Sequence, residues 1–229
     1  METISHNFYG YIQIFSHDDA ICIWLKKGYI WEQVLQRDFG NYYKGGDILD
    51  IGAYIGLHTI AMSKIVKEGS VVHAFECQPK SYELLRLNTK KRGNVITYNN
   101  IISSSKTQRY IKTFDENVDG NYGGMGSYSE KDESHMEMNI PTMSIDDLKL
   151  SDIGLIKIDV EGHELDVLKG AEQTIKKYKP PIFIEILGGV VREKMTSEQK
   201  KHLDDVLQYL HQLGYKFEKK PTVHDYIFI

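Results

Sequence analysis

The 229-residue chain carries 28 Lys and Arg against 32 Asp and Glu, with 41% hydrophobic residues, which excludes a disordered segment and leaves no global basic field to hold nucleic acid. Its two cysteines, Cys22 and Cys77, form no CxxC pair, so structural zinc and a disulfide framework are excluded and a reducing, cytoplasmic setting is expected. No apolar run approaches the roughly 20 residues of a membrane span, and the start METISHNFYG lacks a secretion signal's layout, so no membrane insertion is expected.

The first 45 residues hold two aromatic-rich, strand-like pieces, Tyr9 to Phe15 and Ala20 to Leu25, then a helix-like stretch from about Ile30 to Phe39. They are expected to cap the sheet or its substrate side. From residue 46 onward, short apolar runs alternate with amphipathic stretches, the pattern of βαβ units around a mostly parallel sheet. The runs are Asp47 to Ile51, Val71 to Phe75, Val95 to Ile102, Ile153 to Ile158 and Pro181 to Leu187. The segment Asp115 to Asn139 is rich in Gly, Ser, Asn and charge and lacks periodicity, as lids over functional sites do.

Leu165, Leu168 and Ile175 mark a helix that should stop before Lys179-Pro180-Pro181, because proline restricts the residue before it. Thr196 with Gln199 has capping-box spacing and opens a helix carrying Leu203, Val206, Leu207 and Leu210 on one face. Gly214-Tyr215 opens a strand, and His224 to Ile229 forms another with no room for a crossover between them. That connection forces an antiparallel hairpin. The chain is therefore expected to be one domain over 1–229, an α/β fold with a cap over 1–45 and a doubly wound core over 46–229.

The strongest chemical signal is DILDIGAYIGLHT, a strand ending at Asp50-Ile51-Gly52 and a helix beginning near Gly56. Gly52 and Ala53 let the turn run close to a ligand, and Gly56 lets the helix pack on the strand. Dinucleotide sites use G-x-G-x-x-G; here the glycines are four apart and an acid precedes the first. A carboxylate at Asp50 repels a pyrophosphate but suits the ammonium and sulfonium of S-adenosylmethionine. Glu76, at the end of the next strand, is placed to bind both ribose hydroxyls, the alternative being a solvated strand end.

The second signal is IGLIKIDVEGHELDVLKGAE, which sets Asp159 at the end of the fourth strand and Glu161, Gly162 and His163 in the turn that follows. In open α/β sheets this edge faces the ligand crevice. Asp159, Glu161 and His163 could abstract a proton or polarise an acceptor. Asp159 and Glu161 could also join Glu185, at the end of the fifth strand, in holding Mg²⁺ or another divalent cation. The alternative is that Glu161, His163 and Glu164 only charge and cap a helix N-terminus. Lys157 shares a strand face with Asp159 and is expected as its ion-pair partner.

The glycine turn, AFECQPKSYELLRLN, PTMSIDDL, IKIDVEGHELDVLKGAE and PPIFIEI together resemble the FkbM family of S-adenosylmethionine-dependent O-methyltransferases, in the right order from about Asp47 to Leu187. The resemblance implies a Rossmann-like class I methyltransferase sheet, S-adenosylmethionine as cofactor and an oxygen acceptor on a carbohydrate or small metabolite. It puts Gly52, Ala53, Tyr54, Gly56, Glu76 and Cys77 at the cofactor. Tyr54 stands where the family commonly has Asn, and Cys77 where it has Pro. NYGGMGSYS resembles the family's glycine-serine stretch and puts Ser127 near the acceptor, with Tyr122 and Tyr128 available to stack on a sugar ring and Glu185 nearby. No nucleic-acid partner is expected, and the protein is expected as a monomer or homodimer. A nicotinamide-dependent oxidoreductase and a cofactor-binding module without turnover remain as other readings.

Overall fold

The computed structural model describes residues 1–18, 21–105, 110–112, 114–125, 127–128, 135–136, 140–186, 192–222 and 224–229. The cap begins with β1 (Glu2–His6) and β2 (Gly10–Ile14), an antiparallel hairpin, followed by α1 (Ile21–Lys26) and α2 (Gln33–Tyr42). The core continues with β3 (Asp47–Ile51), α3 (Leu57–Ile65), β4 (Val72–Phe75), α4 (Pro79–Thr89), β5 (Val95–Tyr98) and β6 (Ile101–Ile102). Short strands β7 (Tyr110–Lys112), β8 (Ser127–Tyr128), β9 (His135–Met136) and β10 (Thr142–Met143) come next. The chain closes with β11 (Ile153–Ile158), α5 (Glu164–Gly170), α6 (Glu172–Tyr178), β12 (Ile182–Glu185), α7 (Ser197–Gln212), β13 (Phe217–Lys219) and β14 (Asp225–Phe228).

Strands apolar at nearly every position need cover on both faces. The main sheet has the order β13-β14-β12-β11-β3-β4-β5, with β12, β11, β3, β4 and β5 parallel and the β13–β14 hairpin antiparallel at one edge. Alternation along β11 sends Leu155 to the face covered by Leu35, Phe39 and Met62 of α2 and α3. Ile156 and Ile158 face Val167, Leu168, Val206 and Leu210 of α5 and α7. Each of these fully buried aliphatic side chains contributes about 1.5–3 kcal/mol of transfer free energy. The chain steps from β3 through β4 to β5, then returns to β11 on the other side of β3. The carboxyl ends of β3 and β11 therefore flank a switch point, where α/β sheets open a crevice.

The Thr196 capping box is present in full. Gln199 N–H donates to Thr196 Oγ1 at 3.2 Å and Thr196 N–H to Gln199 Oε1 at 2.9 Å.

Four expectations are corrected. The piece read as a strand over 20–25 is helix α1, because Asp18 Oδ1 accepts the Ile21 N–H at its start and Ile21, Cys22 and Leu25 bury one face at helical spacing. The run Val95 to Ile102 breaks after Tyr98, where the Asn99 side-chain amide donates to the Glu76 and Cys77 carbonyls, and β6 pairs with β10 instead. The helix through Leu165 and Ile175 is two helices. Gly170 packs against the Ser103 carbonyl, and the Asp146 carboxylate accepts the Gln173 and Thr174 N–H groups, capping α6 from outside. In the final hairpin, β13 starts at Phe217, because Tyr215 is buried and its hydroxyl donates to the Pro180 carbonyl.

Candidate active site

The turn after β3 is shaped by close packing between strands. Gly52 has φ +85°, and a Cβ there would lie 1.6 Å from the Asp159 carbonyl oxygen, so only glycine lets β3 and β11 end side by side. Gly56, φ +92°, would put a Cβ 2.8 Å from Leu85 Cδ1 of α4. The Gly52 and Ala53 N–H groups donate to the Phe75 carbonyl at 3.0 and 2.9 Å. Tyr54, left-handed at φ +50°, donates its N–H to Glu76 Oε2 at 2.8 Å, while Gln78 N–H donates to Oε1 at 2.7 Å. Two backbone donors thus fix the Glu76 carboxyl. Burial pushes it up to about 7 against those donors, with Asp159 and Asp50 adding to the rise.

The turn after β11 runs through Glu161 and Gly162, both left-handed at φ +53° and +97°. Glu164 holds it: its Oε1 accepts the Gly162 N–H at 2.8 Å and its Oε2 lies 2.6 Å from His202 Nε2 of α7. Lys157, wholly buried, donates to Asp159 Oδ2 at 2.9 Å. Burial alone would lower this ammonium's pKa, but the Asp159, Asp50 and Glu32 carboxylates outweigh it and raise it above the usual lysine value.

Both turns open onto one cavity of about 710 Å³, inside the range of about 300–1,000 Å³ typical of ligand pockets. Gly52, Ala53, Tyr54, Glu76 and Cys77 line it, as do Asp159, Glu161, His163 and Glu185. Burial raises the Glu161 carboxyl to about 7, helped by Asp159 and Glu164. Glu185 rises to about 9, by burial and then by Asp159, Asp225 and Glu32. Its partner across the β12–β14 ladder is Asp225, itself pushed up to about 6 by burial and then Glu32.

Two residues expected at the cofactor stay behind the wall. Asp50 is wholly buried, sits opposite Lys157 in the β3–β11 register and accepts the Thr59 hydroxyl at 2.5 Å. Its carboxylate is held by Thr59 of α3 and is not part of the cavity lining. Gly56 caps α3 and does not line the cavity. Tyr122 lines the cavity, but its ring is 3% exposed and packs on Phe15 and Phe114, with its hydroxyl held by the Asp115 carbonyl at 2.9 Å. The side chains of Ser127 and Tyr128 lie outside the described residues. Among the described residues no group of three or more His, Cys, Asp or Glu could hold a metal ion. Asp159, Glu161 and Glu185 share the wall without forming such a set.

The sequence reading expected a cap over the sheet or its substrate side but did not name the residues it supplies. Trp24, Tyr29, Trp31 and Glu32 line the cavity, together with His58 and His224. His58 Nε2 stands 3.2 Å from Glu32 Oε2, close enough for an ion pair but off the line of a hydrogen bond. This neighbour, with Lys157 and His224, outweighs burial and holds the Glu32 carboxyl below its usual value. The available signal was the clustering of both tryptophans and a tyrosine in WLKKGYIWE.

A model of the methyltransferase FkbM domain matches residues 50–217. The chain is 28% identical over 193 residues to the hexuronic acid methyltransferase AglP of Haloferax volcanii, covering 82% of this chain and 75% of that protein. It superposes on the crystal structure of a methyltransferase FkbM from Methylobacillus flagellatus with a TM-score of 0.51 at 18% identity. That match covers 80% of this chain but 43% of the other, so the chain spans under half of that protein's length. Among the described residues no helix is long and apolar enough to cross a membrane.

Proposed function

The chain belongs to the FkbM family of S-adenosylmethionine-dependent methyltransferases, and from that premise we propose that it acts as one domain to methylate a carbohydrate hydroxyl, with Glu161 taking the hydroxyl proton. The observation that carries this reading is the single cavity joining the Gly52–Tyr54 turn and Glu76 to Glu161 and His163. The carbohydrate acceptor is supported by the hexuronic acid methyltransferase relative, and the net charge of -4 disfavours RNA.

The residues present fit the cofactor. Glu76, fixed by the Tyr54 and Gln78 N–H groups, offers carboxyl oxygens to a ribose diol, and the Gly52–Tyr54 turn lines the same cavity beside it. When bound, S-adenosylmethionine would supply an electrophilic methyl group for the acceptor's hydroxyl oxygen. The protein's part is to align that hydroxyl and remove its proton. A carboxyl raised to about 7 is a stronger base than an ordinary carboxylate and is matched to neutral pH. Asp159 is committed to Lys157 and serves to keep Glu161 basic. His163, at the N-terminus of α5, borders the same space and orients the acceptor.

Glu161→Gln should lower kcat about 10²–10⁴-fold and keep cofactor affinity. The wild-type rate should rise with pH through about 7, because the base works ionised, and EDTA should leave it unchanged. If EDTA abolishes activity and Mg²⁺ restores it, or if His163→Ala costs more than Glu161→Gln, Glu161 is not the base. Methylation of RNA and of no sugar would refute the acceptor.

A further inference from the structure

Large aromatic rings left in water around a cavity mouth are costly unless something covers them. Trp24 on α1 and Tyr29 just beyond it are 52% and 55% exposed, with ring centroids 5.4 Å apart. Both line the cavity, as does Trp31. The next residue is Glu32, so the aromatic stretch runs directly into the acidic wall of Asp159, Glu161 and Glu185.

That wall has little positive charge to offer a ligand. Lys157 is the one Lys or Arg among the described lining residues, and its ammonium is already 2.9 Å from Asp159. His58 is set against Glu32. At Glu161 and Glu185, burial and after it the neighbouring carboxylates outweigh Lys157, so both are raised. A carboxylate on an incoming ligand would face the same burial beside the same carboxyl groups, with the Lys157 ammonium already taken by Asp159. A sugar ring without one presents an apolar C–H face that suits an indole or phenol ring and a hydroxyl edge that suits carboxyl groups.

Resting on the carbohydrate reading above, we infer that Trp24 and Tyr29 form the platform on which the acceptor's sugar ring stacks, and that the acidic wall selects a ring carrying no carboxylate. In this the chain departs from the relative named for hexuronic acid.

The chain's two tryptophans both line the cavity, so intrinsic fluorescence reads acceptor binding without turnover. The full chain, with S-adenosylhomocysteine present, is titrated with a methyl hexoside, a 2-amino hexose and a hexuronate, and methyl transfer to each is measured in parallel. The carboxylate-free sugars should give a saturable change at concentrations about ten-fold lower than the uronate. Trp24→Ala, read through Trp31, should raise the sugar Kd and KM about ten-fold, with S-adenosylhomocysteine affinity unchanged. Trp24→Phe, which keeps a ring, should recover most of the loss. Tighter binding of the uronate, or sugar affinity indifferent to Trp24→Ala, overturns the inference while leaving the carbohydrate reading standing. If no sugar is bound or methylated, the carbohydrate reading fails and this inference with it.

Discussion

Replacing Glu185 by glutamine should stabilise the protein, and by an amount that grows with pH. The Glu185 carboxyl is raised from 4.5 to about 9 by burial and by the Asp159, Asp225 and Glu32 carboxylates. A folded-state value above the unfolded one means that the group's contribution is fully present below pH 4.5 and is lost as pH rises toward 9. At pH 7 the unfolded chain has gained about 2.5 units of ionisation that the folded chain resists, worth about 1.4 kcal/mol each, or about 3–4 kcal/mol. Part of that belongs to Asp225, which titrates with Glu185, so the substitution should recover about 1.5–3 kcal/mol at pH 7 and almost nothing at pH 4. Glutamine keeps the size and a donor, so packing is conserved. For a chain of this length that corresponds to a Tm increase of about 4–10 °C at pH 7. Thermal melts of both proteins from pH 4 to 9, followed by circular dichroism, measure it. Parallel Tm curves across that range would refute the reasoning, because a packing effect has no reason to follow pH.

Gly52→Ala should cost about 3 kcal/mol or more, since its Cβ would stand 1.6 Å from the Asp159 carbonyl at φ +85°. Gly28→Ala, at φ +80° with nothing within 4 Å, should cost about 1 kcal/mol, and equal losses in denaturant melts would show that contact with Asp159 does not matter. Glu76→Ala should weaken S-adenosylhomocysteine binding by about 1.5–3 kcal/mol in calorimetry; unchanged affinity would remove Glu76 from the cofactor's contacts.

The parallel core was legible because its signals are local. The apolar run Ile153 to Ile158 and the capping pair Thr196 and Gln199 state their structure within a few residues. What was not legible depends on contacts distant in sequence. Nothing near Leu168 announces that Asp146 will cap a second helix at Glu172, and nothing near Tyr98 announces that Asn99 will turn to bond the Glu76 and Cys77 carbonyls. At the candidate site, spacing picked out Glu76, Asp159, Glu161 and His163, which share one cavity. It missed that Asp50 is held by Thr59 of α3 outside the cavity lining, and that the cap supplies Trp24, Tyr29 and Glu32.

Tyr54 ties those two halves together. Its backbone N–H holds Glu76 Oε2 at 2.8 Å, and its hydroxyl donates to Asp18 Oδ2 at 2.6 Å. The other Asp18 oxygen accepts the N–H of Ile21, which begins the helix carrying Trp24, and Asp18 also bridges to Gly120. Burial and the Asp18 carboxylate push the phenol well above its usual value, so the proton stays on Tyr54 and the bond keeps its direction. The residue sits at φ +50°, where a bulky side chain costs about 1–2 kcal/mol and asparagine is far better tolerated. Asparagine could satisfy the turn and offer the same N–H to Glu76, but it is too short to span to Asp18. The strain at Tyr54 therefore has its return in that reach: the Glu76 carboxyl, proposed to meet the cofactor, and the helix that carries Trp24 are held by one side chain and its own backbone.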